Sequence, residues 1–345
     1  MAVMSRNKKL AVVVLNWNCA DDSIKCIESL LLQSSHTPSI VVVDNHSSDD
    51  SVDVLEAYIS TKPDQEIALL RSPANGGYAA GNNIGFMYAL EHDYEYIGTL
   101  NPDAVADRHW CSALLDELKN HDDVIIATGL MIQDPSNKID TSGELYYTWG
   151  IPSPRNRGLP PENAPKHPEY IFASTGGGFI ARAAMLRDVG IFDERFFMYF
   201  EDVDLSFRAQ LAGYKIRYTP KASAYHKVSV STKKVPGLGT MQTFKNLPVL
   251  FVKNVPLSLW PHMYPRFMLS YTLILGNAIM HGSTLPALKG WLRSWLLLPH
   301  MVRERRYIQK SRRVSDAYIS SIILHDIPPE QTGMRKFRKF FTGRD

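Results

Sequence analysis

Residues 10–44, LAVVVLNWNCADDSIKCIESLLLQSSHTPSIVVVD, decide the fold. Leu10–Leu15 (LAVVVL) and Ile40–Val43 (IVVV) are unbroken apolar runs rich in β-branched residues, the pattern of strands buried on both faces. Between them, Ile24, Ile27, Leu30 and Leu31 fall on one helical stripe of Asp21–Leu32. This is a βαβ unit. The alternation continues with a predicted helix over Ser51–Ile59, a strand at Ile67–Leu70, a helix over Gly81–Leu90 and a strand at Tyr96–Leu100. A further helix at Trp110–Leu118 and strand at Val124–Thr128 follow. The expectation is an α/β fold, Rossmann-like, with a mostly parallel central sheet and flanking helices, in which ligands gather at the carboxyl ends of the strands.

The 345 residues, 45% of them hydrophobic, suffice for one large domain or a domain with an appendage. The net charge of +3 is unevenly spread: Leu285–Asp345 carries 13 Lys and Arg against 5 Asp and Glu, a local +8 that leaves −5 for the rest. Cys19, Cys26 and Cys111 show neither metal-ligand spacing nor a paired framework, which fits a reducing, cytoplasmic location. The apolar run near the N-terminus is only six residues long before Asn16 and lacks a small-residue cleavage site, so it reads as a first strand and not as a signal peptide.

Two segments break the alternation. Asp134–Pro168 is rich in Pro, Asn and Gly, and reads either as a surface excursion or as a loop that shapes a pocket. From Met241 onward, apolar, aromatic and basic residues mix without strand-like alternation, which divides the chain into 1–240 and a helical, basic region 241–345. Its longest uncharged apolar run, Phe267–Met280, is shorter than the roughly 18 residues that span a bilayer. Trp291, Leu292, Trp295 and Leu296, flanked by Lys289, Arg293 and Arg303 to Arg306, have the character of an interfacial segment lying on a membrane. The structural alternative is a helical subdomain packed on the sheet with a solvated basic edge.

Carboxylates are costly among apolar residues unless a charge, a metal or a reaction needs them, and Phe196–Leu205, FFMYFEDVDL, embeds three. Glu201, Asp202 and Asp204 fall in the first turn of a predicted helix, where the dipole favours one or two acids. It does not explain three behind four aromatic residues and a methionine, a wall that raises proton affinity and makes a carboxylate a usable base. Asn101-Pro102-Asp103 directly follows a strand and offers Asp103 as a hard oxygen ligand suited to Mg²⁺ or Mn²⁺, although Asn-Pro also starts ordinary turns. His226 stands at a strand end before Lys227, Lys233 and Lys234, a setting for a metal or diphosphate contact as much as for a structural histidine. Asp44, just past a strand end, is placed to accept from a base or ribose, and Asn75–Gly85 (NGGYAAGNNIG) supplies glycines and amides where a backbone must approach a ligand. It is not a dinucleotide-binding GxGxxG, and Asn16-Trp17-Asn18 after the first strand carries no glycine fingerprint.

Taken in order, VVVLNWN, VVVDNHSSDDS, NGGYAAGNN, LNPDA, GGGFIARAAMLRDVGIFDERFFMYFEDVDLSFRAQLAGY and the downstream YH cover about two thirds of the chain, from Leu10 to His226. Over that span the sequence resembles inverting glycosyltransferases of family 2, with the GT-A fold, and among them the rhamnosyltransferase-like members. The resemblance implies that Asn16, Asp44, Asn75, Gly76, Gly81, Asn82, Asn101 and Asp103 hold the nucleotide sugar. It implies Asp202 as catalytic base with Glu201 and Asp204 in support, and Gly176, Gly177, Gly178 and Trp149 on the acceptor side. The family's DxD position here reads Asn-Pro-Asp, so a divalent cation, Mg²⁺ or Mn²⁺, would rest chiefly on Asp103 and His226. The implied activity is transfer of a sugar from a nucleotide diphosphate donor to a hydroxyl of a glycan, plausibly lipid-linked, at the inner face of the cell membrane in polysaccharide synthesis. Rhamnose from dTDP-rhamnose is the first reading of the donor, with galactofuranose, glucose and N-acetylglucosamine as alternatives.

Rival classes fit less well. A nucleotidyltransferase would carry a glycine-rich basic loop after the first strand, and LNWNCADD is neither. A non-catalytic sugar-nucleotide or glycan-binding module would need no acid at Asp202. Nucleic acid is not an expected partner, because the basic residues cluster in the tail beside tryptophans and not along a groove.

Overall fold

The structure, a computed structural model, describes residues 9–227 and 235–326; Lys233, Lys234 and the basic residues beyond Asp326 lie outside the described residues. The chain begins with β1 (Leu10–Asn16), α1 (Ala20–Leu31), β2 (Ser39–Asp44), α2 (Ser51–Ser60), β3 (Ile67–Arg71), α3 (Gly77–Glu91) and β4 (Tyr96–Leu100). It continues through β5 (Ala104–Ala106), α4 (Trp110–Asn120), β6 (Val124–Gln133), β7 (Lys138–Thr141), β8 (Glu144–Tyr146), β9 (Pro152–Pro154), β10 (Glu169–Ile171) and β11 (Gly178–Arg182). Then come α5 (Ala183–Val189), α6 (Glu201–Leu211), β12 (Lys215–His226), α7 (Leu238–Asn254), α8 (Trp260–Met280), α9 (Thr284–Leu296), α10 (Leu298–Lys310) and α11 (Asp316–Ile322).

The central sheet runs β10-β12-β6-β11-β4-β1-β2-β3. Strands β4, β1, β2 and β3 pair in parallel as the βαβ pattern predicts. Alternate residues of β1 serve opposite layers: Leu10, Val12 and Val14 pack with Ile27 and Leu30 of α1 and Trp110 and Leu114 of α4, whereas Ala11, Val13 and Leu15 meet Ala79 and Phe86 of α3. Gly81 and Gly85 bring α3 against the sheet, since a Cβ at Gly81 would stand 2.4 Å from Leu15 and one at Gly85 would stand 2.5 Å from Val13.

The expectation of a mostly parallel sheet is corrected to a mixed one. β11 lies antiparallel between β4 and β6, with Gly178 opposite Leu100 and Phe179 opposite Thr128. It starts at the carboxyl edge, level with Leu100 at the end of β4, so from there the strand can only run backward. The segment GGGFIAR hid this strand behind its glycines.

Asp134–Pro168 is no loose excursion. It adds β7 to β6, folds β8 onto β9 and buries Tyr146, Tyr147 and Ile151. Tyr146, Phe172, Phe196, Val203 and Phe207 share one apolar cluster with Phe244, Leu247, Leu250 and Phe251 of α7, Phe267 and Tyr271 of α8, and Met301 of α10. The C-terminal helices therefore complete the core beneath α6. Among the described residues no helix is long and apolar enough to cross a membrane. The outward faces of α8 and α9 nonetheless expose Leu269, Met280, Leu285, Leu292, Trp295 and Leu296, the last two at 58% and 80%.

Candidate active site

Turns after β1, β2 and β4, the end of β12 and the turn before the reversed β11 meet on one edge of the sheet, and there a cavity of about 560 Å³ opens. Trp17, Asn45, Asn75 and Tyr78 line its sheet-edge wall beside Asn101, Asp103 and His226. Gly176, Gly177, Glu201 and Asp202 form the facing side, and Asp140, Glu144 and Arg157 from the excursion close it over.

His226 ends β12, whose last residues pair with β5, so that Ala104 lies opposite it and Asp103 comes alongside. Its Nε2 stands 3.2 Å from an Asp103 carboxylate oxygen and 3.1 Å from the Asn101 amide nitrogen. Its Nδ1 stands 2.9 Å from Asp140, whose other oxygen accepts from Arg157 at 2.7 Å. Burial lowers the His226 pKa, but the hydrogen bonds and charges of Asp103 and Asp140 outweigh it and raise the value to about 9. Burial likewise opposes the charge on Asp140, and His226 and Arg157 prevail to hold that carboxyl below its usual range.

The carboxylate–imidazole pair of Asp140 and His226 is the arrangement that fixes a ligating histidine. The side-chain oxygen of Asn101 is buried without a partner beside it. Among the described residues no group of three or more His, Cys, Asp or Glu side chains is arranged to hold a metal. Asp103 and His226 could hold Mg²⁺ or Mn²⁺ with phosphate oxygens and water in the remaining positions, since Mg²⁺ in phosphate sites keeps several waters and few protein groups.

Across the cavity, Phe197, Tyr199 and Phe200 adopt left-handed backbone at φ 62°, 68° and 71° immediately before α6. Each such residue costs about 1–3 kcal/mol and persists only where its surroundings enforce it. The turn aims Asp202 at Gly176, whose N–H donates to a carboxylate oxygen at 2.6 Å, while the N–H of Val203 donates to the other at 2.8 Å. A Cβ at Gly176 would stand 3.1 Å from that first oxygen, tighter than ordinary contact, so a side chain there would press on the carboxylate. Burial pushes the Asp202 carboxyl above its usual range while these amides pull against it. Glu201 is raised well above its range by burial and then by Asp202, and one of its oxygens is buried without a partner. Glu144 is raised by burial and by Asp202 in the same way.

Of the residues singled out in the sequence, the structure gathers Asn75, Asn101, Asp103, Gly176, Gly177, Glu201, Asp202 and His226 around this cavity. The others stand elsewhere. Asn16 donates to Asp44 at 2.8 Å, and Asp44 also accepts from Ser47, so both carry the turns after β1 and β2 while the neighbouring Asn45 faces the cavity. Gly76 precedes α3, Gly81 packs on Leu15, and Asn82 bonds Tyr78 and Thr99 inside the fold. Gly178 begins β11 against Leu100, and Trp149 packs on the C-terminal core. Asp204 is fully buried behind α6, bonded by Arg208 and Lys253 at 2.9 Å and Asn254 at 2.8 Å. It joins α6 to α7 as a structural acid, and breaking such a buried pair costs about 3–5 kcal/mol.

Sequence reading missed Asp140, Glu144 and Arg157, because only their tertiary position in the excursion distinguishes them. It also missed Lys245, Asn246, Lys253 and Asn254, which did leave a signal as polar residues repeated along an otherwise apolar helix.

The family model described as Glycosyl transferase family 2 matches residues 11–190. A hexosyltransferase of low-salt glycan biosynthesis from Haloferax volcanii, Agl10, is 25% identical over 226 residues, which are 64% of this chain and 68% of that protein. A Mycobacterium tuberculosis protein named N-acetylglucosaminyl-diphospho-decaprenol L-rhamnosyltransferase is 27% identical over 252 residues, 66% of this chain and 78% of that protein. The crystal structure of GalNAc-T7 with UDP, GalNAc and Mn²⁺ superposes with a TM-score of 0.61 at 15% identity, covering 78% of this chain and 51% of that one, about half its length. The mannosyltransferase PcManGT from Pyrobaculum calidifontis, solved with GDP-Man and Mn²⁺, gives a TM-score of 0.53 at 15% identity, covering 92% and 86%. At this identity the structural likenesses show the fold alone, an α/β GT-A fold.

Proposed function

The chain belongs to glycosyl transferase family 2, and we propose that it moves a sugar, with inversion, from a nucleotide diphosphate donor to a glycan hydroxyl. One observation carries the reading: Asp202 and the Asp103–His226 pair line the same cavity. Asp202 takes the proton of the acceptor hydroxyl as that oxygen attacks the anomeric carbon from the face opposite the diphosphate. When bound, Mg²⁺ or Mn²⁺ on Asp103 and His226 would neutralise charge developing on the leaving group. Asn45, Asn75 and Asn101 offer amides to the donor. Glu201, whose buried carboxyl holds its proton more tightly than usual, keeps an unpartnered oxygen beside Asp202 for a sugar hydroxyl.

Rhamnose from dTDP-rhamnose is the preferred donor and a lipid-linked glycan the preferred acceptor, supported by the name and 27% identity of the mycobacterial relative. We assign residues 1–240 to donor binding and catalysis and 241–345 to peripheral attachment at the inner face of the cell membrane. The supports are the exposed Leu292, Trp295 and Leu296 on α9, and the exposed Lys289, Arg293, Arg303 and Arg306 beside them, which suit anionic headgroups. Arg305 is not among these; it turns inward and bonds the carbonyls of Val252 and Val255.

The direct test is thermal unfolding of the purified protein against a panel of nucleotide sugars with and without Mn²⁺. Protection by dTDP-rhamnose above all others is expected. Protection by UDP-glucose or UDP-N-acetylglucosamine would reassign the donor, and protection by no nucleotide sugar would refute the reading.

A further inference from the structure

The left-handed stretch that aims Glu201 and Asp202, itself beyond the residues the family model matches, is held by a C-terminal helix. Each carbonyl from Arg195 to Phe200 has a donor, and Lys245 and Asn246 of α7 serve four of the six. The Lys245 ammonium stands 2.8 Å from the Arg195 oxygen and 3.1 Å from that of Phe196. The Asn246 amide nitrogen stands 3.0, 2.8 and 2.8 Å from the oxygens of Phe196, Met198 and Tyr199. The remaining two are bonded by backbone, Phe197 from Ala79 at 3.0 Å and Phe200 from Asp204 at 2.9 Å. Asn246 is fully buried and its own oxygen has no partner, so the side chain is spent on donation alone.

Left-handed backbone at three non-glycine residues points successive carbonyls into the interior, where water cannot satisfy them. A carboxamide with two N–H bonds facing three of those oxygens rewards only this conformation of the turn. We infer that Asn246, with Lys245, is a positioning residue: it locks Phe197–Phe200 in the left-handed turn and so fixes the direction in which Asp202 enters the cavity. This rests on Asp202 being the base, and its consequence is that α7 belongs to the catalytic apparatus and not only to an attachment region. Asp202 would remain in an Asn246 variant, but in a turn free to relax.

The test is the full-length Asn246→Asp variant, nearly isosteric, which sets an oxygen where the donor was. Native amide hydrogen exchange should accelerate at least about ten-fold at Met198, Asp204 and Ala79, whose N–H groups bond within the turn, with β1 and β4 unchanged. With dTDP-rhamnose, kcat should fall about a hundred-fold at unchanged KM, the expected effect of misplacing a reacting group by about an ångström. Should Asn246→Asp not fold, Lys245→Met removes two of the donated bonds without touching Asp202 and should accelerate the same amides. Asn246→Gln, which keeps the donor, should recover part of the protection and of kcat. Unchanged exchange in the turn, or a rise in KM with kcat preserved, would overturn the inference. If the wild-type protein turns over no donor, the transferase reading fails, while the exchange measurement still decides whether α7 holds the turn.

Discussion

The backbone N–H of Gly176 donates to the Asp202 carboxylate across 2.6 Å, joining the turn before β11 to the first turn of α6. With Val203 on its other oxygen, the carboxylate is oriented by two backbone amides and, among the described residues, by no side chain. Orientation of this kind survives surface change but not a change of backbone at either end.

Gly176→Ala should therefore act on catalysis and not on donor affinity. The new Cβ stands 3.1 Å from the carboxylate oxygen, and Asp202, already tied to Val203, can yield only by turning from its present direction. A fall in kcat of about ten- to a hundred-fold with unchanged donor binding by calorimetry is expected.

Glu201 should make the protein less stable as pH rises. Its folded pKa lies above the unfolded value, so the native state holds its proton more tightly. Stability from this group is complete below the unfolded pKa and is lost as pH climbs toward the folded one. Glu201→Gln removes that loss, and its melting temperature should gain on the wild type progressively from acidic to alkaline pH. A constant difference across pH would contradict the account.

Asp140→Asn should weaken metal binding without altering either proposed ligand. Asp140 holds Nδ1 of His226 at 2.9 Å and so directs Nε2 toward Asp103. Loss of such a partner typically costs about 10- to 100-fold in metal affinity. Mn²⁺ titration followed by electron paramagnetic resonance should show that loss, with the helical circular dichroism unchanged.

The reading of the sequence succeeded where local pattern and tertiary role coincide. LAVVVL and IVVV are buried because their strands are central, and Glu201, Asp202 and Asp204 stand in the first turn of a helix, Glu201–Leu211, as their pattern predicts. It failed where a residue's neighbour is set by distant chain. Asp44 pairs with Asn16, 28 residues away, a partner that no local pattern announced. Asp204 looked equal to Asp202 two residues away, but α6 turns it about 200° further round, into the reach of Lys253 and Arg208. Asp140 and Glu144 carried no local pattern, and β11 was masked by its glycines.

The membrane reading predicts that the full-length protein co-sediments with vesicles of phosphatidylcholine and phosphatidylglycerol and is released by salt. Replacing Lys289 and Arg293 by Gln should weaken binding by about five-fold for each charge. Replacing Trp291 and Trp295 by Ser should weaken it at any ionic strength. Binding indifferent to both changes would remove the surface of α9 from the account.

Single-turnover kinetics of Asp202→Asn with dTDP-rhamnose and an acceptor glycan, set beside donor affinity measured on the same preparation, goes to the centre of the matter. The account predicts a rate lower by about a hundred- to ten-thousand-fold with donor affinity preserved. A variant that transfers sugar at close to the wild-type rate would contradict it.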